Sequence, residues 1–407
     1  MDRFGKNAAL LWSGQFVSQM GDAVFQACIA WLAASLTGSP LATGGAVFLW
    51  AVPFLLLGPL AGAWVDRTDR RRAMILSDLV RAGLLLGLPL LAAGVGLSYG
   101  LVVGAALLVA VASTPFLPAR DALLPRLAEG RALVRFNAAF QTSGQLAQIL
   151  GLWLGGVLLG AERETSGDRV LLVLGLDGVT FLASAATLAF LVVPPSATAP
   201  ARAARGSLWR DAGEGLRSAT RDPLLLGLLS LTALDNLAIM GPAVVGATLF
   251  VKDSLHLGAR HLAWFEGAMA LGFLVGAATL TRFGPSARKG RLILWGMTLD
   301  GLTYIPFFFV RSYPLALALI FVHGLFIPWI VVGRTALLQQ HVPEERRGQV
   351  FSLVYVTVAG MTALSALAAG AIAEATDAPT LFLLAGVFGT LCGVVGFLAM
   401  PRLRSAA

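Results

Sequence analysis

The sequence predicts an all-α membrane protein with twelve transmembrane helices in two pseudo-symmetric six-helix bundles and both termini cytoplasmic. Three observations predict it. Apolar residues make up 57% of the 407 residues and charged ones 13%, far from the balance of soluble chains. Hydrophobic stretches of about 20 residues, the length that crosses a bilayer's hydrocarbon core, alternate with short polar connections. The basic residues also keep to alternate connections. With Met1 in the cytoplasm, 24 of the 30 face inward: Arg3 and Lys6; Arg67, Arg70, Arg71 and Arg72; Arg120, Arg126, Arg131 and Arg135; five between Arg202 and Arg221; four between Arg282 and Arg291; Arg334, Arg346 and Arg347; and Arg402 with Arg404. Five (Arg163, Arg169, Lys252, Arg260, Arg311) face outward, and Arg81 lies inside a span. Lys and Arg are retained on the cytoplasmic side during insertion, so this bias sets both count and orientation. It also accounts for the formal charge of +8, and no nucleic-acid partner is expected.

Each element follows from its own residues. The helices of the first bundle, residues 1–193, are expected at 9–36, 41–65, 73–94, 98–119, 135–160 and 170–193. Arg3 and Lys6 precede a segment carrying Gln15, Gln19, Asp22 and Gln26, too long and too polar for a signal peptide's apolar region. It is expected to remain as the first span. Asp78 and Arg81, one helical turn apart in the third span, read as a local ion pair near an inner end. Asp177 reads as lying nearer the outer face. Residues 194–222 form a cytoplasmic linker. It opens Pro-Pro-Ser-Ala-Thr-Ala-Pro, which favours extended, solvated backbone, and continues to a segment whose Leu208, Trp209 and Leu216 suit an interfacial helix. The second bundle, 223–407, is expected to place helices at 223–251, 260–282, 291–310, 314–338, 349–375 and 379–400. Cys28 and Cys392 sit in apolar spans without metal or redox spacing and read as packing residues.

The halves repeat at a constant offset. Arg120 and Arg334, each followed by one residue and then Ala-Leu-Leu, are 214 residues apart; so are Gly62 and Gly276, and Asp22 and Asn236. Three separated landmarks at one spacing argue for a duplicated six-helix unit, a recurring transporter plan.

Polar side chains at membrane depth come next. Gln15, Gln19, Asp22 and Gln26 share a strip about 60° wide on the first helix, and Asn137, Gln141, Gln145 and Gln148 a face roughly 80° wide on the fifth. Against lipid these groups are costly, so both faces are expected to point inward, to a shared hydrated substrate cavity or to interhelical amide bonds. Asn236 and His323 are assigned to the same cavity, although a lone histidine also suits a satisfied packing position. Asp22 lies about 13 residues into its helix, roughly 20 Å of rise and so near the midplane. It is the first candidate for a proton or cation coupling site, with Asp235, Glu266 and Asp300 behind it, because burial disfavours a charged carboxylate. The alternative is a structural carboxylate capped by hydroxyls and amides.

Between the second and third spans stands Gly62-Ala-Trp-Val-Asp66-Arg67-Thr-Asp69-Arg70-Arg71. It resembles the loop motif of the major facilitator superfamily, G-x-L-a-D-r-x-G-r-k, with Trp64 and Asp69 departing from the motif's Leu and second Gly. The resemblance implies a cytoplasmic gate of Gly62, Asp66, Arg67, Arg70, Arg120 and Arg334, with Asp66 latched to Arg120 and the helix start near Gln349. Further stretches, Gln15-Phe-Val-Ser18-Gln-Met-Gly21-Asp22, Pro118-Ala-Arg-Asp-Ala-Leu-Leu-Pro125 and Arg347-Gly348-Gln-Val-Phe351, are similar to the bacterial macrolide-efflux and enterobactin-exporter subgroup. The fifth span reads Ala147-Gln-Ile-Leu-Gly151-Leu152-Trp-Leu-Gly155-Gly156. The drug antiporters' motif, G-x-x-x-G-P-x-x-G-G, has Gly and Pro at the Ala147 and Leu152 positions.

The resemblance implies a secondary active transporter, working by alternating access, that exports an amphipathic or hydrophobic small molecule (drug or siderophore-like) against proton entry. It is expected to be a multi-pass monomer in a bacterial inner membrane, with protons and membrane lipids as its other partners. No Walker loop is present and no cofactor, metal site or enzymatic activity is expected; His, Cys and carboxylates lack catalytic or ligand spacing. The alternative is a lysophospholipid or lipid flippase of the same fold, since similar Q-F-x-S-x-x-G-D openings occur in lysophospholipid transporters.

Overall fold

The computed structural model describes residues 3–127, 130–159, 167–193, 221–283, 288–342 and 344–406; most of the expected linker, with its interfacial helix, lies outside the described residues. The first seven helices are α1 (Arg3–Thr37), α2 (Pro40–Asp66), α3 (Arg70–Val95), α4 (Tyr99–Ser113), α5 (Phe116–Leu127), α6 (Gly130–Leu159) and α7 (Gly167–Ala189). They are followed by α8 (Pro223–Gly241), α9 (Ala259–Phe283), α10 (Lys289–Tyr304), α11 (Tyr313–His341), α12 (Glu344–Ala375), α13 (Ala378–Ala399) and the short α14 (Pro401–Ser405). Ten helical stretches among the described residues are long and apolar enough to cross a membrane. In α6 the apolar part is shorter, Leu146–Leu159, and α10 has 16 residues.

Three of the expected helices are interrupted, and proline stands at each interruption. The one expected at 98–119 stops at Ser113, where the Thr114 N–H is shared between the Ala110 and Val111 carbonyls. Pro115 offers no N–H to carry the ladder on, and α5 starts afresh at Phe116. The helix expected at 291–310 tightens after Tyr304 into a 3-10 turn, Ile305–Phe308, built around Pro306. After Gly241 the helix expected at 223–251 continues through π turns at Pro242–Gly246 and Phe250–Ser254. There the Ser365 hydroxyl of α12 accepts from the Gly241 N–H (2.6 Å) and donates to the Leu237 carbonyl (2.7 Å). A side chain thus stands in for the helical bond that would join those two groups, a recognised cause of helix opening. Gly241 is required at this point, since a Cβ would overlap the Ser365 backbone.

The chain groups into two compact units. One comprises Met1–Gly38, Leu49–Arg205 and Gly258–Ala263, the other Ser39–Phe48, Gly206–Leu257 and Trp264–Ala407. In the first, α1 packs on α6 and α7, and α3 on α7 and α4. Apolar burial gives little drive between helices in lipid, so small residues that admit close backbone approach matter most. On one side of α1, Gly14 abuts Thr187, and Gly21 abuts Asp177 and Thr180 of α7. On the other, Gly144, Gly151 and Gly155 of α6 abut Gln19, Met20 with Ala23, and Val24. Asp22 is therefore carried on a stretch of helix clamped from both sides. Leu11, Met74, Phe116, Leu123, Phe140 and Leu188 fill an apolar core at one end of this unit, where the Arg71 guanidinium donates to the Leu188 (2.7 Å) and Ala189 carbonyls closing α7.

In the second unit α10 packs on α11 and α13, and α8 on α12. Gly272 and Gly276 of α9 let that helix meet the backbone of α11 at Phe321 and Leu325. Phe250, Phe265, Phe307, Phe382 and Tyr304 form a fully buried aromatic group, with centroids 5.0 to 6.4 Å apart for the pairs in contact.

Candidate functional site

Among the described residues, each unit buries one cluster of ionisable side chains. In the first, Arg81 of α3 is 3% exposed; one of its terminal nitrogens pairs with Asp78, which is fully buried, and the other lies 3.6 Å from Asp22 on α1. The guanidinium sits between two rings, 4.7 Å from the Phe116 centroid and 4.0 Å from that of Phe181, within the range of attraction between a cation and a ring face. Asp177 of α7 closes the cluster against Gly21, in electrostatic reach of both Asp22 and Arg81. One of its oxygens accepts from the Thr180 hydroxyl at 3.0 Å. The other, together with Asp78 Oδ2 and Arg81 Nε, is buried without a hydrogen-bond partner. Asp22 differs from its neighbours, for 37% of its side chain remains exposed.

Sequence reasoning selected Asp22 but not its companions. The sequence places Asp177 nearer the outer face. The helix begins at Gly167, so Asp177 lies ten residues in, about 15 Å along the axis, level with Gly21. The Asp78–Arg81 pair forms as expected, but Arg81 also reaches Asp22. Its position inside an apolar span was the available signal, since an ionisable group at membrane depth marks a site by default.

The second cluster joins α8, α10 and α11. His323 Nδ1 stands 3.3 Å from Asp300 Oδ1 and 2.9 Å from the Thr303 hydroxyl, with both residues of the His–Asp pair almost wholly buried. Tyr304 stacks on the imidazole at 4.2 Å. Asp235 on α8 is 5% exposed and within electrostatic reach of Asp300 and of Arg334; Glu266 on α9 acts electrostatically on Tyr304. Asp235 Oδ1, Asp300 Oδ1 and the Tyr304 hydroxyl lack hydrogen-bond partners. All four coupling candidates thus fall in the two clusters, Asp22 in one and Asp235, Glu266 and Asp300 in or beside the other. Beside Asp235, Asn236 donates to the Thr232 carbonyl at 2.8 Å.

Of the amide stripes, Gln15 is 2% exposed with an unpartnered Nε2, Gln19 lies against Gly144, Gln26 is half-buried and Gln148 exposed. The side chains of Asn137, Gln141 and Gln145 lie outside the described residues. So do the surroundings of Gly62, Asp66 and Gln349. Of the other gate residues, Arg67 is exposed, Arg70 donates to the Ala122 carbonyl at 3.0 Å, and Arg334 is half-buried. Arg120, expected to meet Asp66, pairs with its neighbour Asp121 at 2.8 Å. Asp69, where the loop motif has its second Gly, caps α3 by accepting from the Arg72 N–H at 2.9 Å.

At the start of α8, Asp222 caps the helix through the Leu224 N–H at 2.9 Å and meets His341 Nε2 at 2.7 Å. Burial raises its carboxyl, but the hydrogen bonds from His341, Leu224 and Leu225 outweigh it and hold the group below the usual range.

Comparison with known proteins follows the same lines. Macrolide efflux protein A of Streptococcus pyogenes is 25% identical over 350 residues, covering 84% of this chain and 83% of that protein. Multidrug efflux pump Tap of Mycolicibacterium fortuitum is 26% identical over 399 residues, 94% of this chain and 93% of that protein. The crystal structure of a bacterial homolog to the human lysosomal transporter Spinster, in an inward-facing and unoccupied conformation, superposes with a TM-score of 0.79 at 14% identity, covering 99% of this chain and 98% of that one; at that identity the likeness is one of fold. The Major Facilitator Superfamily model matches residues 11–292 and again 244–407. With an almost wholly helical, multi-pass membrane architecture and that match along its length, the chain belongs to the Major Facilitator Superfamily of transporters.

Proposed function

We propose that this transporter exports an amphipathic or hydrophobic organic molecule from the bacterial cytoplasm against proton entry. It would do so as a monomer of twelve membrane helices with both termini inside, by alternating access. The observation that carries the reading is Asp22: a carboxylate deep in α1, clamped by glycines on both sides, partly exposed while its counter-charge Arg81 is not. Such a group can exchange protons with its surroundings while remaining coupled to a buried cation. The relatives named for macrolide and multidrug efflux support the substrate class and the direction. Asp235, Glu266 and Asp300 are the second-unit candidates for proton exchange, and the amides of α1 and α6 the candidates for substrate contact.

The test is transport by the purified protein in liposomes with an imposed pH gradient, following ethidium and a fluorescent lysophospholipid in parallel. Gradient-driven ethidium accumulation is expected, lost in Asp22→Asn while the variant still inserts. Uphill transport unchanged in that variant would remove Asp22 from coupling. Movement of the lysolipid alone would replace the export reading with a lipid flippase.

A further inference from the structure

In the first unit three carboxylates share one guanidinium. Asp22, Asp78 and Asp177 carry three negative charges when ionised and Arg81 one positive charge. The other titratable group facing them is Cys28 on α1, close to Asp177; from α5 and α7 the cluster receives the rings of Phe116 and Phe181, and no charged side chain of α4, α5 or α6 acts on it among the described residues. A dry site holds unbalanced charge at a high cost. Asp78 has Arg81 against it, and Asp22 has both Arg81 nearby and an exposed face. Asp177 feels Arg81 through space but makes no ion pair with it among the described residues, and it has no open face: it is 2% exposed, its partner is the Thr180 hydroxyl, and its second oxygen is idle.

We propose that Asp177 is a second proton-holding carboxylate of the coupling site, and that Arg81 moves between Asp78 and Asp22 as the proton count changes. The inference rests on the reading of Asp22 as the coupling residue and adds the groups that make its titration possible. Arg81 holds Asp78 and stands 3.6 Å from Asp22, too far for a hydrogen bond and near enough to close on it. Its Nε is unpartnered, so the present arrangement leaves donor capacity unused. The guanidinium is planar and charged whichever carboxylate it faces, and the rings of Phe116 and Phe181 flank it. When Asp22 gives its proton to water, the cluster loses one proton and one unit of positive charge, and the Arg81 nitrogen closes on the new carboxylate. Asp177, set beside Asp22 by the missing side chain of Gly21, can then pass its own proton across. Asp22 is the one carboxylate of the three with an open face, so it serves as the port and Asp177 as the store.

Infrared spectroscopy of the full chain in lipid nanodiscs reads this without a substrate, through the stretching band of protonated carboxyl groups. At neutral pH, Asp177→Asn should remove one carboxyl's worth of that band. Arg81→Gln should enlarge it, because a carboxylate left without its cation takes up a proton, whereas Arg81→Lys should leave it unchanged. An unaltered band in Asp177→Asn, or in folded Arg81→Gln, overturns the proposal. If Arg81→Gln does not fold, Arg81→Gln/Asp78→Asn, which removes a matched pair, supplies the comparison: its band should equal that of the wild type, and an enlarged band would overturn the partnership. The two readings fail separately. A wild-type protein indifferent to a pH gradient in liposomes loses the coupling role of Asp22 whatever the band shows. Gradient-driven transport with an unaltered Asp177→Asn band loses Asp177 alone.

Discussion

In the first unit a permanent cation, Arg81, faces Asp78 and Asp22; in the second, His323 faces Asp300 at 3.3 Å and is a cation only when protonated. The difference decides where protons can come and go. A guanidinium does not deprotonate in proteins, so any change of charge around Arg81 falls on the carboxylates. A histidine can be neutral or charged, so in the second cluster a proton can also be taken up by the imidazole, on which Tyr304 stacks with Phe307 and Phe382 behind it. The 214-residue repeat makes the contrast sharper. Asp22 has Asn236 as its counterpart, while Leu292, Trp295 and Leu391 stand at the offsets of Asp78, Arg81 and Asp177. Among the described residues an arginine pairs directly with a buried carboxylate only in the first unit; in the second, Arg334 acts on Asp235 through space.

The largest effect expected from breaking this contrast is at Arg81. Arg81→Gln removes the cation from buried carboxylates and should cost about 3–5 kcal/mol, as loss of one partner of a buried pair does; thermal unfolding of the purified protein measures it. Arg81→Gln/Asp78→Asn should recover most of the loss. His323→Gln should cost less, about 1–3 kcal/mol for a disturbed buried hydrogen bond. Equal losses at the two sites would end the distinction between them.

Next in size is the glycine that admits Asp177. A Cβ at Gly21 would overlap Asp177 Oδ1, so Gly21→Ala should destabilise by about 1–3 kcal/mol, as overpacking does. Gly83→Ala on α3, where a Cβ meets open space, should be neutral or gain up to about 1 kcal/mol from helix propensity. The same melting curves compare them, and Gly21→Ala should also lower the infrared contrast assigned to Asp177.

These two sites also mark how far the sequence was legible. Helices, their order and the transporter class follow from apolar length, basic asymmetry and the loop motif, because membrane insertion writes those features locally. Asp22 was legible too, as a carboxylate where lipid forbids one. Its partners were not. Contacts of Asp22 with Arg81 and of Gly21 with Asp177 join α1 to α3 and α7, residues up to 156 apart in the chain, and no periodicity records which helix faces which. Helix interruptions were half legible: Pro115, Pro242 and Pro306 stand in the sequence, but the bridging hydroxyl of Ser365 comes from a helix over 120 residues away.

That bridge gives a smaller prediction for the second unit. Ser365→Ala removes one acceptor and one donor, yet leaves Gly241 N–H and Leu237 C=O free to pair with each other. The net cost should be about 0.5–1.5 kcal/mol, and amide hydrogen exchange at Gly241 reads whether the helix has re-closed. A re-closed helix that shifts Asp235 would tie the second cluster to this opening; exchange unchanged from wild type would separate them.

The smallest effect concerns a second acid–histidine pair in the same unit, in an aqueous setting. Asp222 and His341 are 34% and 38% exposed and meet at 2.7 Å, whereas His323 and Asp300 are nearly sealed. Asp222 titrates below the usual carboxylate range despite its burial, through the bonds from His341, Leu224 and Leu225. A group depressed on folding stabilises above its unfolded value, near 3.9, and that contribution is lost as pH falls through the folded value. Melting temperature should therefore drop as pH falls below about 4, and Asp222→Asn should remove part of that drop. Asn still caps α8, so at neutral pH the variant should lose no more than about 1 kcal/mol, the range of an exposed pair. A loss at pH 7 as large as that of His323→Gln would mean that exposure does not separate the two pairs.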